Sequence, residues 1–190
     1  IGLQSTSAAI HRGLDFYYFC YDNEAFSNTG FQMSSATPFG SKTNTSFPEK
    51  LNPEGTVQKK KDLFEIWRSH KPPYLATISP SHPVDLSNKF EKASLYKGPK
   101  LFIAFSPCPP GWSFGTSKSV NIAKLAVQTG LLPLKEAVHG KVEHTIVPKF
   151  RPVEEYLKTQ ERYAHLFEPT TQVDIINTIQ KDIDDYWKRY

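Results

Sequence analysis

The feature that most constrains this chain is a short aromatic run that breaks abruptly into a polar loop. Residues 16–21 read FYYFCY, an apolar stretch without alternation, which is typical of a strand buried on both faces of a parallel sheet. The polar residues Asp22-Asn23-Glu24 and then Ser27-Asn28-Thr29-Gly30 follow it. Open α/β sheets bind ligands at the carboxyl ends of their strands. From the residues alone the loop is either a polar surface loop or, because most of its side chains offer oxygen, a site for Mg²⁺ and a diphosphate.

Apolar runs and helical patterns alternate after this loop. Two further short apolar runs, Tyr74 to Ile78 and Lys100 to Phe105, indicate buried strands. Helical patterns cover Lys60 to Ser69 and Pro83 to Tyr96, and the second helix is expected to turn Leu95 and other apolar residues inward. Strand, helix, strand, helix and strand in this order favour parallel pairing with right-handed crossovers. We therefore predict an α/β fold with a mostly parallel twisted sheet and helices on both faces.

The remaining patterns add smaller elements. Residues 39–57 form a long polar stretch, which is either a functional lid or interface, or a mobile surface loop. We also expect a first helix that ends at Gly13, a helix over Val120 to Thr129, an antiparallel pair over Leu131 to Glu136 and Lys141 to Pro148, two short helices within Lys149 to Phe167, and an amphipathic terminal helix from Gln172 to Tyr190.

Composition argues against two classes of partner. The formal net charge is +4, and the single basic run, Lys59 to Lys61, is interpreted as a solvated helix start rather than a nucleic-acid patch. No apolar run approaches the roughly 20 residues that a membrane span needs, and no segment resembles a signal peptide. The two cysteines, Cys20 and Cys108, lie in very different contexts, so we expect no disulfide and a reducing, cytoplasmic location.

A resemblance to a known family lies in residues 22–40, DNEAFSNTGFQMSSATPFG. They resemble the thiamine-diphosphate segment of the 2-oxoacid:ferredoxin oxidoreductases, most closely that of the pyruvate:ferredoxin oxidoreductase (pyruvate synthase) beta subunits. The matching positions are Asp22, Asn23, Glu24, Phe26 in place of the usual Tyr, Asn28, Thr29, Gly30, Gln32, Ser34, Ala36, Thr37 and Pro38. Four further blocks follow in the family's order: KKKDLFEIWRSHKPPYLAT, GPKLFIAFSPCPPGW, LAVQTGLLPLKE and KFRPVEEYLKTQERYAHL.

The resemblance implies a thiamine diphosphate-binding fold of which this chain holds the C-terminal part only. Residues 1–150 would be the C-terminal portion of the cofactor-binding domain, and residues 151–190 a helical extension that packs on this domain or on a partner subunit. The chain starts at Ile1 inside a helical pattern, and the family's Gly-Asp-Gly signature, whose Asp is a Mg²⁺ ligand, would lie upstream. We therefore expect the isolated fragment to be inactive.

The resemblance also assigns the metal and cofactor residues of the loop. The Asn23 side chain and the Ala25 backbone carbonyl would ligate Mg²⁺, and Asp22 would orient the loop. The cofactor itself would be faced by Asn28, Thr29 and Gly30: Asn28 would be the catalytic residue nearest the substrate, and Gly30 would allow close backbone approach or a positive φ.

The second cysteine lies in the run SPCPPGW, residues 106–112, at the end of the third predicted strand. Taken alone, a lone cysteine is usually a small buried hydrophobe. The family's matching block supplies one thiolate to a 4Fe-4S cluster, which implies that Cys108 is an iron ligand and that the other three thiolates come from an N-terminal cysteine cluster. Cys20 is a packing residue in either interpretation.

The function implied is oxidative decarboxylation of a 2-oxoacid, pyruvate in the first place, with coenzyme A to acetyl-CoA and CO₂. The thiazolium of thiamine diphosphate would act as electron sink, and electrons would pass through 4Fe-4S clusters to ferredoxin. Other subunits of the alpha, gamma and delta types would be partners. Three alternatives stay open: another 2-oxoacid (2-oxoglutarate, a branched-chain oxoacid or oxalate), a thiamine enzyme without iron, and a non-catalytic structural or assembly chain without bound cofactor.

Overall fold

The computed structural model describes residues 2–190, so the prediction about Ile1 lies outside the described residues. The chain forms two compact units. The first unit consists of residues 2–22, 62–106 and 133–147, and the second of residues 23–61, 107–132 and 148–190. The predicted division at residue 150 stays a prediction.

The first unit is built on one five-stranded sheet in the order β1-β3-β2-β4-β5. Both β1 and β2 pair parallel with β3, whereas β4 pairs antiparallel with β2 and with β5. This arrangement confirms the predicted mostly parallel core and the antiparallel pair that follows it. The strands are β1 Tyr17–Asp22, β2 Tyr74–Ile78, β3 Lys100–Phe105, β4 Leu134–Val138 and β5 Lys141–Ile146.

Helices cover both faces of this sheet, as predicted. Successive side chains of a strand point to opposite faces, and the two apolar clusters of the first unit follow that alternation. One cluster joins α1 (Leu3–His11) and α2 (Leu63–Arg68) to Leu75 and Leu101. The other joins α3 (Pro83–Ser94) to the opposite face through Tyr74, Ala76, Ile78, Ala93 and Phe102.

Two predictions about the first unit are wrong. Strand β1 is not buried on both faces: it is the edge strand of the sheet in this chain, and its side chains alternate between exposed and half-buried, with Tyr21 75% exposed. Leu95 is 79% exposed instead of facing inward, because α3 ends at Ser94 and the helical repeat does not extend to it. Lys89 is buried on α3 instead, where it pairs with Asp85 at 2.7 Å.

The buried phenol of Tyr74 supports a stability prediction. Its hydroxyl donates to Glu136 Oε2 at 2.5 Å, and burial, followed by this hydrogen bond, raises the pKa of Tyr74. Tyr74→Phe removes a hydrogen bond to a buried carboxylate and is expected to lower the free energy of unfolding by about 1.5–3 kcal/mol. Tyr21→Phe, at an exposed position, should change it by less than about 0.5 kcal/mol. Thermal unfolding of both variants measures the difference; equal shifts would contradict the role of this hydrogen bond.

The second unit consists of helices and 3₁₀ helices joined by long connections. Its helices are α4 Pro109–Trp112, α5 Ser119–Gln128, α6 Glu154–Leu157 and α7 Val173–Trp187, with 3₁₀ helices at Thr116–Lys118 and Glu161–Leu166. The second of the two short helices predicted within Lys149 to Phe167 is thus a 3₁₀ helix. The amphipathic terminal helix α7 is confirmed: it buries Ile175, Ile176, Ile179 and Ile183, and Trp187 Nε1 donates to the Gly130 carbonyl at 2.9 Å.

Hydroxyl groups hold the polar stretch at residues 39–57. The Thr56 hydroxyl donates to the Ser41 carbonyl at 2.7 Å and lies 2.8 Å from the Ser46 hydroxyl.

No helix within residues 2–190 combines the length and the apolar composition needed to cross a membrane.

Candidate cofactor site

The predicted metal loop begins where β1 ends at Asp22, and its first residue is Asn23. The half-buried Asn23 side chain makes a long contact, in which the Ala25 amide donates to Asn23 Oδ1 at 3.4 Å. The backbone of Asn23 is held more firmly, because the Trp112 indole donates to its carbonyl at 3.2 Å. Trp112 therefore anchors the backbone of the loop at Asn23.

Glu24 lies between the two predicted metal-binding residues and is buried, 3% exposed. Its carboxylate accepts hydrogen bonds from Lys60 Nζ at 2.8 Å and from Arg162 Nη2 at 2.7 Å. Burial alone would raise the pKa of this carboxyl, but the two cations outweigh burial and hold the pKa below its usual value. Glu24 is thus a buried anion with cations on both oxygens.

A tight turn follows, in which the Gly30 amide donates to the Ser27 carbonyl at 3.2 Å. Gly30 has a φ of +109°, a conformation that residues with a Cβ rarely adopt, so the chain needs glycine here. Asn28 and Thr29 are exposed at the turn. The turn is closed by reciprocal backbone hydrogen bonds between Phe26 and Gln32 at 2.9 and 3.1 Å.

The cysteine segment lies beside this loop in the second unit. Cys108 has a half-buried free thiol and stands at the N-cap position of α4, and its carbonyl accepts from the Trp112 amide at 2.9 Å. Gly111 lies directly against Phe31: a Cβ added to this glycine would stand 2.4 Å from Phe31 Cδ2. The fold therefore joins the metal loop to the cysteine segment at two points, through Asn23 with Trp112 and through Phe31 with Gly111.

The same two segments border a cleft of about 360 Å³. The cleft combines two cationic side chains and one carboxylate with hydroxyl, amide and aromatic groups. Two buried polar atoms of its lining, Ser27 Oγ and Arg162 Nη1, have no hydrogen-bond partner among residues 2–190. The lining residues are Ser27, Gly30, Phe31, Lys42, Thr43, Asn44, Phe47, Pro110, Gly111, Ser113, Glu161 and Arg162.

Sequence reasoning missed three residues of this site. The basic run predicts a solvated helix start at Lys60, but α2 begins only at Leu63, where the Asp62 side chain caps it, and Lys60 instead binds Glu24. Arg162 and Trp112 belong to blocks that carry the family resemblance, yet nothing in either block indicates a partner in the loop. The one available signal was the acidic residue of the loop itself, which needs cations if it is buried.

The donor atoms of the loop fit part of a magnesium diphosphate site. Mg²⁺ takes oxygen ligands and commonly uses few protein groups together with phosphate oxygens, and the Asn23 amide and the Ala25 carbonyl are such oxygens. The described part of the chain contains no cluster of three or more His, Cys, Asp or Glu that could hold a metal ion. A 4Fe-4S cluster normally needs four thiolates, so residues 2–190 with their two cysteines do not complete one alone.

Comparison with known proteins places these features in context. A family described as "Thiamine pyrophosphate enzyme, C-terminal TPP binding domain" matches residues 1–104. The chain is 44% identical over 189 residues to pyruvate synthase subunit PorB of Methanocaldococcus jannaschii, covering 99% of this chain and 61% of that one. It is 42% identical over 192 residues to ketoisovalerate oxidoreductase subunit VorB of Pyrococcus furiosus, covering 100% and 60%.

A solved structure supports the fold. The 2-oxoglutarate:ferredoxin oxidoreductase from Magnetococcus marinus, with 2-oxoglutarate, coenzyme A and succinyl-CoA bound, superposes with a TM-score of 0.52 at 18% identity, over 65% of this chain and 40% of that one. The chain thus spans about three fifths of the length of the relatives that it matches. These similarities confirm the resemblance inferred from the loop and its four companion blocks.

Proposed function

Because this chain belongs to the thiamine pyrophosphate enzymes and matches their C-terminal TPP binding domain over residues 1–104, we propose that it forms the cofactor-binding part of a 2-oxoacid:ferredoxin oxidoreductase. The proposed reaction is oxidative decarboxylation of the 2-oxoacid with coenzyme A, with ferredoxin as electron acceptor. The observation that carries the proposal is the loop after β1. There two cations bind the Glu24 carboxylate, and the residues before and after it in sequence, Asn23 and Ala25, offer oxygens that suit Mg²⁺.

Pyruvate is the proposed substrate. The blocks CPPGW and RPVEEY resemble those of the pyruvate enzymes, and the relatives include pyruvate synthase subunits. A branched-chain 2-oxoacid is the second candidate, because a ketoisovalerate oxidoreductase subunit is 42% identical, close to the 44% of the pyruvate synthase subunit.

We assign the metal to the oxygens beside Glu24. By resemblance to the family loop, the Asn23 amide and the Ala25 carbonyl would bind Mg²⁺ together with the diphosphate of the cofactor. Both carboxylate oxygens of Glu24, which stands between them, are engaged by Lys60 and Arg162. Asp22 would orient the start of the loop, and its position at the last residue of β1 suits that role.

The turn after the metal loop is assigned to the cofactor and substrate. Asn28 and Thr29 are exposed at the turn, where a ligand can reach them, with Asn28 as the proposed catalytic residue that orients the substrate. Gly30 lines the cleft and keeps its backbone open to close approach. Thiamine diphosphate, when bound, would supply the electron sink that no side chain offers.

Electron transfer would require further polypeptide. We propose that Cys108 supplies one thiolate of a 4Fe-4S cluster and that the remaining thiolates come from outside residues 2–190. The relatives are named as subunits, which supports an assembly with other chains, proposed to be of the alpha, gamma and delta types. Residues 151–190 would pack on the cofactor-binding domain or on such a partner, and the cytoplasm is the proposed location.

Asn23→Ala in the complete complex tests the assignment of the metal loop. Loss of a Mg²⁺ ligand should weaken thiamine diphosphate binding at limiting Mg²⁺ by about tenfold or more, since replacing even an indirect partner of a metal ligand commonly costs that much. Asn88→Ala, at an exposed position of α3, is the matched control. Titration calorimetry at several Mg²⁺ concentrations measures the affinity. Unchanged affinity in Asn23→Ala would remove Asn23 from the site.

A further inference from the structure

We propose that Arg162 is the positioning residue of the magnesium loop, and that it couples the loop to the segment that carries Cys108. This role of Arg162 rests on the proposed function. Arg162 lies in the 3₁₀ helix Glu161–Leu166, far along the chain from the loop at 22–30.

The guanidinium of Arg162 is enclosed by groups that fix its orientation, with 1% of the residue exposed. Nη2 donates to Glu24 Oε2 at 2.7 Å and to the Tyr156 hydroxyl at 3.0 Å, while Nε donates to Gln160 Oε1 at 2.8 Å. Its central carbon lies 3.7 Å from the centroid of the Trp112 ring, a cation–π distance. Arg162 therefore holds a carboxylate at its edge and an indole at its face at the same time.

The hydrogen bond from Arg162 to the Glu24 carboxylate helps to fix the backbone of the loop. Glu24 has a φ of +63°, a left-handed conformation that is uncommon for a residue with a side chain and is kept only where the surroundings hold it. The bonds that hold it include those of Lys60 and Arg162 to its carboxylate and that of the Thr37 hydroxyl to its carbonyl at 2.7 Å. Because Glu24 stands between Asn23 and Ala25, its conformation sets the directions in which those two oxygens point.

The indole end reaches the same loop by a second route. Trp112 donates through Nε1 to the Asn23 carbonyl and through its backbone amide to the Cys108 carbonyl, at 3.2 and 2.9 Å. A displaced Arg162 would therefore disturb Asn23 both through Glu24 and through Trp112. It would disturb the cysteine segment through Trp112. Planarity matters for this double contact, since a lysine can replace the charge but cannot replace the stacked face.

A double-mutant cycle in the full complex separates positioning from general stabilisation. Arg162→Gln is combined with Asn23→Ala, and thiamine diphosphate affinity is measured against Mg²⁺ concentration. If Arg162 acts through Asn23, Arg162→Gln should weaken binding about tenfold in the wild-type background and by a clearly smaller factor once Asn23 is alanine, with the remaining loss acting through the Ala25 carbonyl. Arg162→Lys should recover part of the loss. Arg151→Gln, an exposed arginine of the same segment paired with Glu155, should leave the affinity unchanged.

Equal losses in both backgrounds would overturn the proposal, because Arg162 would then not act through Asn23. A wild-type complex that binds no thiamine diphosphate would instead defeat the proposed function, whereas wild-type binding with an unaffected Arg162→Gln variant would defeat this inference alone. If the Arg162→Gln variant does not assemble into the complex, the isosteric Glu24→Gln takes its place in the cycle with Asn23→Ala. Additive losses of thiamine diphosphate affinity would reject the proposal, and non-additive losses would support it.

Discussion

Cys108→Ser in the assembled complex is expected to remove one 4Fe-4S cluster, with its iron and its visible absorption, and to abolish electron delivery to ferredoxin. A hydroxyl is a poor substitute for a thiolate as an iron ligand. The thiol is half-buried at the start of α4, between Pro107 and Pro109, on a backbone fixed by the hydrogen bond from the Trp112 amide to the Cys108 carbonyl.

Cys20→Ser is the matched control, because it makes the same chemical change in a different setting. Cys20 packs against the apolar cluster that contains Leu75 and Leu101 in the first unit. Burying a hydroxyl there should cost about 1–3 kcal/mol of stability and leave the iron content unchanged. Iron analysis and absorption spectra of both variants, recorded side by side, give the answer. Full cluster occupancy in Cys108→Ser, or cluster loss in Cys20→Ser alone, would reverse the assignment of the two cysteines.

The sheet could be predicted from the sequence because local patterns of apolar and polar residues indicate its strands and the helices between them. The runs at 74–78 and 100–105 matched the observed strands to the residue, since each is apolar throughout most of its length and bounded by polar or turn residues. Burial of the first strand could not be predicted in the same way. An aromatic run has the same composition in the centre or at the edge of a sheet, and only the strand order decides which side chains are covered.

In the candidate site, too, features that are local in sequence could be predicted, and contacts between distant residues could not. The residues alone marked the loop and its glycine turn as either a surface loop or a metal site, and they indicated a small buried hydrophobe at Cys108. The resemblance to the family assigned both segments to the site, because its matching blocks are contiguous in sequence. The partners of Glu24 could not be found this way: Lys60 is 36 residues distant and Arg162 is 138 residues distant. A lysine and an arginine are ordinary surface residues until the fold buries a carboxylate between them.

Gly111→Ala is expected to destabilise the second unit and to lower the iron content of the assembled complex. The added Cβ would stand 2.4 and 2.8 Å from two carbons of the Phe31 ring and 3.2 Å from Cys108 Sγ. The buried Phe31 cannot yield easily, because its ring is rigid and its backbone has a left-handed φ of +64°. Overpacking of this kind typically costs about 1–3 kcal/mol, more than the roughly 1 kcal/mol that alanine gains over glycine in a helix.

Gly115→Ala is the control for this last effect, since no atom lies within 4 Å of the position that its added methyl group would take and its φ is −67°. It should be neutral or stabilise by about 0.4–1 kcal/mol through the unfolded chain. Thermal unfolding and iron content of the two variants measure the contrast, and adding Phe31→Leu to Gly111→Ala should restore part of both losses by making room. If Gly111→Ala matched Gly115→Ala in stability and iron, the contact between the metal loop and the cysteine segment would have no energetic consequence, and Cys108 would be positioned by its prolines alone.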